Sequence, residues 1–312
     1  MSDDPSIDLV TGAFSYSGSR IAARLLESGR SVRTLTFHPD RAHPLRERVE
    51  TLRYRFDDPT ELAHSLAGVG TLYNTFWVRF DHGEASFAGA IEKSRMLFSA
   101  AERAGVTRIV HVSITNPSLE SPLPYFRGKA LVEDALAESG LPHSIVRPTW
   151  LFGGERDVLT NNIAWILRRM PVFALPGSGS YPVQPVHVDD LARICIDAAG
   201  FDGDVVVDAA GPERMPFRDL VALVRGAVNA RSPILHVPPT LMAIAARGLG
   251  LLVRDVVLTP DEISGLMAGL LVSHDPPLGR IAFSEWLSQH KDSLGRSYAN
   301  ELHRHFDTNV AS

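Results

Sequence analysis

The chain has 312 residues, 45% of them hydrophobic and 21% charged, which excludes a mostly disordered protein. Lysine plus arginine come to 31 against 36 aspartates plus glutamates, a net charge of −5 with no long block of one sign, so a platform that binds nucleic acid by neutralising phosphates is not expected. The single cysteine, Cys195, excludes an intramolecular disulfide framework and a cysteine-rich metal site, and no metal is expected.

The elements follow in chain order. Residues 7–11 read as a β-branched strand, 18–28 as a helix stopped by Gly29, 31–36 and 52–56 as strands, 59–66 as a short helix and 71–75 as a fourth strand. A long helix over 84–104 ends at Gly105, a strand covers 108–113, a helix runs over 124–138 from a first-turn proline, and a sixth strand covers 143–147, closed by Pro148. Strand–helix alternation with short links predicts an α/β fold, a doubly wound (Rossmann) parallel sheet with helices on both faces. After Pro148 glycines and prolines punctuate shorter elements. The expected organisation is a dinucleotide-binding domain over 1–152 and a smaller, discontinuous substrate lobe over 153–312, with 183–208 returning to the sheet. Residues 241–258 are the most apolar stretch, but Arg247, Arg254 and Asp255 interrupt it. It reads as a packed helix, with a surface-bound amphipathic helix as the alternative, and membrane contact is not expected. Residues 1–6 are polar and acidic, without a basic segment before an apolar one, so a cytoplasmic location is expected.

Between the first strand and the first helix lies Val10-Thr11-Gly12-Ala13-Phe14-Ser15-Tyr16-Ser17-Gly18. Gly12 permits the tight turn, Gly18 lets the helix approach the sheet, and the helix N-terminus offers N–H groups and a positive dipole end to a pyrophosphate. Thr11, Gly12, Phe14, Ser15, Tyr16 and Gly18 are the candidate cofactor contacts. The stretch resembles the short-chain dehydrogenase/reductase superfamily, whose extended and atypical members carry TGxxGxxG, with Ser15 standing where the middle glycine usually lies. In that setting a carboxylate at the end of the second strand holds the ribose of NAD and repels the 2′-phosphate of NADP. Here that strand ends Leu35-Thr36-Phe37-His38, with Arg33, His38, Arg41 and His43 around the position, so NADP(H) is favoured over NAD(H). Related proteins often place an arginine where Phe37 stands. Asp57 matches an acid that the superfamily places near the adenine, or else belongs to a helix cap in Asp57-Asp58-Pro59. Asn74, ending the fourth strand, is a further candidate cofactor contact.

Tyr125-Phe126-Arg127-Gly128-Lys129 places a tyrosine and a lysine one helical turn apart. A nearby ammonium favours phenolate, and a phenol so tuned can exchange the proton of a carbonyl or hydroxyl. With six tyrosines and three lysines in the chain, chance expects about 0.06 such matches. Ser113, ending the fifth strand, is the candidate for orienting the substrate oxygen, and Thr115 its backup; Ser, Tyr and Lys in this order match the short-chain dehydrogenase pattern. The asparagine that extended members carry in the long fourth helix is replaced by Ala90. Arg147-Pro148-Thr149-Trp150-Leu151-Phe152-Gly153 resembles the segment whose backbone approaches the nicotinamide amide in relatives, which makes Pro148 and Thr149 candidate contacts. Trp77 and Arg79, in the loop after the fourth strand, are candidate substrate contacts, or ordinary lid packing. His187, Asp189 and Asp190 resemble a strand-then-helix segment, with Asp189 read as a helix cap rather than a metal ligand. Residues Ile263, Leu266, Met267, Leu270 and Leu271 form an apolar stripe, read as a core or docking face.

The resemblance is to epimerase/dehydratase-like and NmrA-like proteins, including those akin to the complex I accessory subunit. It implies an NAD(P)-dependent oxidoreductase or epimerase moving a hydride to or from a small carbonyl or alcohol substrate. Tyr125 is then the general acid/base, Lys129 tunes it and holds the nicotinamide ribose, and Ser113 positions the substrate oxygen. The alternative is a non-catalytic NAD(P)H-binding sensor or assembly factor docked through an apolar face such as the Ile263 stripe. The oligomeric state is left open.

Overall fold

The computed structural model describes residues 6–154 and 157–306; Met1–Pro5, most of the acidic N-terminal stretch, lie outside the described residues. The chain divides into two units. The described residues of the first run to Pro148 and then from Leu191 to Asp208; those of the second are Thr149–Asp190 and the chain from Ala209 onward.

The first unit is built on β1 (Ile7–Thr11), α1 (Tyr16–Glu27), β2 (Val32–Thr36), β3 (Glu50–Arg53), α2 (Pro59–His64), β4 (Val69–Asn74), α3 (Phe87–Ala104), β5 (Arg108–Val112), α4 (Pro124–Glu138) and β6 (His143–Pro148). Among the described residues the sheet has seven strands, ordered β11-β6-β5-β4-β1-β2-β3, where β11 is Val205–Ala209. The pairings β1–β2, β1–β4, β2–β3, β4–β5 and β5–β6 are all parallel. The sheet is therefore the doubly wound one read from the strand–helix rhythm, and its order reverses between β1 and β4. In such sheets ligands gather beyond the C-terminal strand ends at that reversal, where Gly12 and Thr75 lie. Leu9, Leu35, Leu72, Leu97 and Ile109 are fully buried in its core.

Several boundaries differ from the sequence reading for local reasons. The third strand ends at Arg53, because Tyr54 and Phe56 turn off the strand to pack on Phe37 and Phe76. The long helix begins at Phe87, not at 84, because Ser86 caps it, its hydroxyl accepting from Gly89 N at 3.1 Å. Gly105 closes that helix in the left-handed conformation at φ 72°. The split reading of Asp57-Asp58-Pro59 resolves by residue. Asp58 caps α2, accepting from Thr60 N and Glu61 N, while Asp57 is exposed and pairs with Arg55.

In the second unit β7 (Trp150–Phe152) pairs in parallel with β10 (Pro185–His187), and β8 (Phe173–Pro176) with β13 (Ile234–Val237). β9 (Pro182–Val183) pairs antiparallel with β12 (Met215–Pro216). The helices are α5 (Leu159–Arg169), α7 (Phe217–Ala227), α8 (Pro239–Val253), α9 (Pro260–Met267), α10 (Phe283–His290) and α11 (Glu301–Phe306), while α6 (Val188–Ala199) leads back to the first unit. Phe152, Leu175, Leu220, Phe283 and Trp286 centre its core.

The structure departs from the sequence expectation at Asp189 and along residues 241–258. Asp189 is not the helix cap: its backbone N–H donates to His187 Nδ1 at 3.2 Å, so the imidazole satisfies that first-turn donor. Asp190 instead holds the backbone of Arg280 and Ile281 through one carboxylate oxygen. No metal-holding cluster of His, Cys, Asp or Glu occurs among the described residues. The Ile263 stripe, read as a core or docking face, is core: Ile263 and Leu266 are buried and Met267 and Leu271 pack against the second unit's core. The 241–258 helix is not simply packed: α8 buries only Ala246 and Gly250 and leaves Leu241, Ile244, Leu251 and Leu252 exposed. Among the described residues no helix is long and apolar enough to cross a membrane.

Candidate cofactor and proton-transfer site

The glycine loop is fixed from beneath by β2. Thr34 Oγ1 donates to Val10 O and accepts from Ala13 N at 3.0 Å, so the turn is tied to the sheet on both sides. Gly12 has φ +66°, and Ser15 N donates to Gly12 O at 2.8 Å. Ser15 is the N-cap of α1 at φ −92°, ψ −179°, an extended conformation that any residue adopts, so a serine replaces the usual glycine without strain. Its side chain makes no cap hydrogen bond, which leaves the first-turn amides of α1 without that intramolecular acceptor. Gly18 is required by contact: a Cβ there would lie 2.3 Å from Gly12 O. Gly18→Ala must push α1 off the loop. We expect at least a tenfold loss of dinucleotide affinity and about 1–3 kcal/mol of stability, read by calorimetric titration and urea melts. Unchanged affinity would remove the loop from the cofactor site.

Beyond β2, β3 and β4 stands an aromatic cluster that the sequence reading missed. Phe37, Tyr54, Phe56 and Phe76 lie with ring centroids 4.8–6.1 Å apart. Phe37 is 43% exposed, and Tyr54, buried, has its phenol pushed up and stays neutral. Lys93, from α3, brings its ammonium to 5.6 Å from the Phe37 centroid and 5.9 Å from that of Phe56. The signal was in the chain: each aromatic follows a strand end by one to three residues, and Lys93 is one of three lysines. Of the basic residues read around this edge, Arg33 is committed elsewhere, to Glu50 and the carbonyls of Ser65 and Ala67. Half-buried Arg41 has its pKa lowered by burial, and His43 packs on Phe14 of the glycine loop at 5.2 Å. His38, also half-buried, is tied by its backbone N–H to Thr36 Oγ1 and by its carbonyl to Arg41 N.

Asn74 is fully buried and engaged within the protein. Its Oδ1 accepts from Thr11 Oγ1 at 3.2 Å and from Phe76 N at 3.1 Å, and its Nδ2 lies 3.1 Å from His111 Nδ1. Its work in this structure is to tie the ends of β1, β4 and β5 together beneath the loop. Thr11 joins the same web: its Oγ1 accepts from Thr75 N, and its carbonyl accepts from Thr75 Oγ1. Burial and the nearby Lys129 hold His111 well below the usual imidazole pKa, so the ring is neutral. Since Asn74 Nδ2 donates to Nδ1, the proton sits on Nε2, which is buried without a partner.

Tyr125 and Lys129 both lie on α4. The Tyr125 ring is half-buried, edge-on to Trp77 at 5.9 Å and to Phe87 at 6.0 Å. Lys129 is buried. Its Nζ donates to Val112 O at 2.9 Å and lies 4.8 Å from the Trp77 ring centroid. Burial brings its pKa down to about 7, with Glu133, one turn further along α4, acting in the opposite direction. Glu133 is itself held by Arg147 through two guanidinium nitrogens. Gly128 explains why the indole fits: a Cβ there would be 2.9 Å from Trp77 Cη2. Trp77 therefore caps the Tyr–Lys motif, and its Nε1 is buried without a partner. Ser113 follows β5, with its backbone N–H on Val146 O and a buried hydroxyl that has no partner among the described residues. Thr115 is fully buried, its N–H on Pro148 O. Arg79, in the same loop as Trp77, sits over the Phe80 ring at 5.5 Å. In the second unit Thr149 is buried with its N–H on Ala209 O and its hydroxyl on Gln184 O.

A buried orphan hydroxyl, a buried orphan indole N–H and a lysine with one hydrogen bond are groups that a polar ligand would satisfy, and a glycine turn capped by an open helix start suits a diphosphate. The residues fit a nicotinamide dinucleotide. Comparison with known proteins agrees: residues 12–163 match the family described as NAD(P)H-binding. The chain is 28% identical over 262 residues to the uncharacterized protein y4nG of Sinorhizobium fredii, covering 76% of this chain and 64% of that protein's length. It is 22% identical over 284 residues to mitochondrial NADH dehydrogenase [ubiquinone] 1 alpha subcomplex subunit 9 of Arabidopsis thaliana, covering 85% and 70% of the two chains. Its fold is similar to that of Citrobacter sp. triphenylmethane reductase complexed with NADP(H), at a TM-score of 0.74 and 17% identity over 91% of this chain and 99% of the other. The doubly wound sheet, the glycine loop and the match over residues 12–163 together show that this chain carries an NAD(P)H-binding domain, in a fold similar to that of nicotinamide-dependent reductases and epimerases.

Proposed function

We propose that the chain is an NADP(H)-dependent oxidoreductase acting on a small carbonyl or alcohol. What supports this reading is that Tyr125 and Lys129 both pack on Trp77, and that Lys129 donates to Val112 O, the residue before the unpartnered Ser113 hydroxyl. The nicotinamide, when bound, supplies or accepts a hydride. Tyr125 gives or takes the matching proton at the substrate oxygen, Ser113 donates a hydrogen bond to that oxygen, and Lys129 holds positive charge beside the phenol. Trp77, over the lysine, keeps bulk water from the ammonium. The test is oxidation of NADPH by the purified chain against a panel of aldehydes and ketones, run beside calorimetric titrations with NADPH and NADH. Tight binding with no turnover on any carbonyl rejects the catalytic reading.

The second reading, a dinucleotide-binding sensor or assembly protein, is favoured by Lys129 itself, whose ammonium is already hydrogen-bonded and roofed by an indole. The resemblance to a subunit of a respiratory complex points the same way.

Preference for the phosphorylated cofactor rests on the absence of a carboxylate at the end of β2 and on Lys93 over Phe37. Arg41 and His38 lie in the segment that follows, and Asp57, engaged by Arg55, is no counterweight. Lys93→Met keeps the stem over the rings and removes the charge. NADPH affinity should fall about fivefold to tenfold and NADH affinity stay within about twofold, by calorimetry in low salt. Equal losses for both cofactors would remove Lys93 from the phosphate.

A further inference from the structure

Helix α8 is built inside out. Its buried positions are small, Ala246 and Gly250, and a Cβ on Gly250 would lie 2.6 Å from Asp255 O. Its large apolar side chains face water: Leu241 is 53% exposed, Ile244 66%, Leu251 85% and Leu252 71%. With Gly248 these fall at i, i+3, i+7, i+10 and i+11, one continuous ridge along the helix. Nothing in the fold of the second unit needs that ridge, and four exposed leucine-sized side chains in one stripe mark an interaction surface.

The charge around it is equally lopsided. Residues 239–254, the helix and its C-cap, contain two arginines and no aspartate or glutamate, in a chain whose net charge is −5. Arg247 stands at the edge of the ridge by helical geometry, and Arg254 is its left-handed C-cap; both are exposed. The ridge is also held in place. Asp255 accepts from Tyr298 Oη, Glu301 N and Leu302 N, and Asn300 Nδ2 donates to Val253 O, so the end of α8 is pinned to the start of α11. At 15 residues α8 is about 22 Å long, too short to span a bilayer.

We propose that α8 is a membrane-docking helix that lies in the plane of an anionic lipid surface, with the Leu241–Leu252 ridge in the acyl boundary and its arginines at the headgroups. An exposed apolar ridge with Arg247 at its edge and Arg254 at its end suits a lipid interface. A second copy of this chain suits it less, because symmetric pairing of two ridges about Gly248 brings the two Arg247 side chains together. The proposal is independent of the dinucleotide chemistry.

Vesicle flotation of the full chain tests it, with vesicles of phosphatidylcholine alone or mixed with phosphatidylglycerol. The chain should float with the mixed vesicles and not with the neutral ones. Ile244→Gln with Leu251→Gln should cut partitioning roughly a hundredfold, about tenfold per side chain, while leaving the thermal melt and NADPH binding unchanged, because both side chains already stand in water. Arg247→Gln should cost about fivefold. Failure to float with either vesicle, equal flotation with both, or a dimer in sedimentation velocity that the double variant disperses would each overturn the proposal, the last in favour of a second copy.

Discussion

Tyr125→Phe should lower kcat/KM for carbonyl reduction by about 10²–10⁴, the range in which positioned proton transfer contributes, while NADPH affinity stays within about twofold. The argument is steric as well as chemical. The ring of residue 125 packs against Trp77, Phe87 and Phe126, and phenylalanine preserves every one of those contacts. Only the hydroxyl is lost. Stopped-flow oxidation of NADPH gives the rate, and calorimetry gives the affinity. Undiminished turnover would move the acid to another group and leave Tyr125 as packing. A fall in both rate and cofactor affinity would mean that the ring, not the proton, had been doing the work.

The parts of this protein that were legible in its sequence are those set by backbone geometry. The strand–helix rhythm from Ile7 to Pro148 encodes a parallel sheet because apolar runs of strand length alternate with helical periods, and α4 starts and ends where Pro124 and Glu138 suggested. The glycine loop was legible because positive φ at Gly12 and the close approach at Gly18 admit no other residue. What escaped was set by side chains meeting across elements. Nothing in the local pattern says that Phe37, Tyr54, Phe56 and Phe76, drawn from three strand ends, share one cluster, or that Lys93 from a helix reaches over it. Asn74 read as a cofactor contact because it ends a strand at the ligand edge; its burial against Thr11 and His111 depends on partners 63 and 37 residues away. Gly128 costs stability inside a helix, and its cause is Trp77, which the sequence placed only in a loop. Helix α8 was misread for the opposite reason: its composition is that of a core helix, and only the structure shows which face looks outward.

Replacing Lys129 by methionine should make the fold more stable below neutral pH, not less. The ammonium is buried, and burial brings its pKa to about 7 from 10.5. Below pH 7 both folded and unfolded chains carry the proton, and the folded one bears the full cost of a charge out of water. Between pH 7 and about 10.5 the unfolded chain binds more protons than the folded, so wild-type stability rises with pH through that window and the cost disappears. The shift bounds the effect at about 5 kcal/mol. Methionine fills most of the same volume but forfeits the hydrogen bond to Val112 O and the contact with Trp77, which offsets part of the gain. A net increase of about 1–3 kcal/mol at pH 6, shrinking toward zero or reversing by pH 10, is the expected outcome of urea melts on both proteins. The same variant should lose carbonyl turnover, because the charge that destabilises the fold is the one proposed to sit beside the Tyr125 phenol. A variant equally destabilised at both pH values would show Lys129 to be a structural strut; one stabilised in acid yet as active as wild type would leave the buried charge without a chemical purpose.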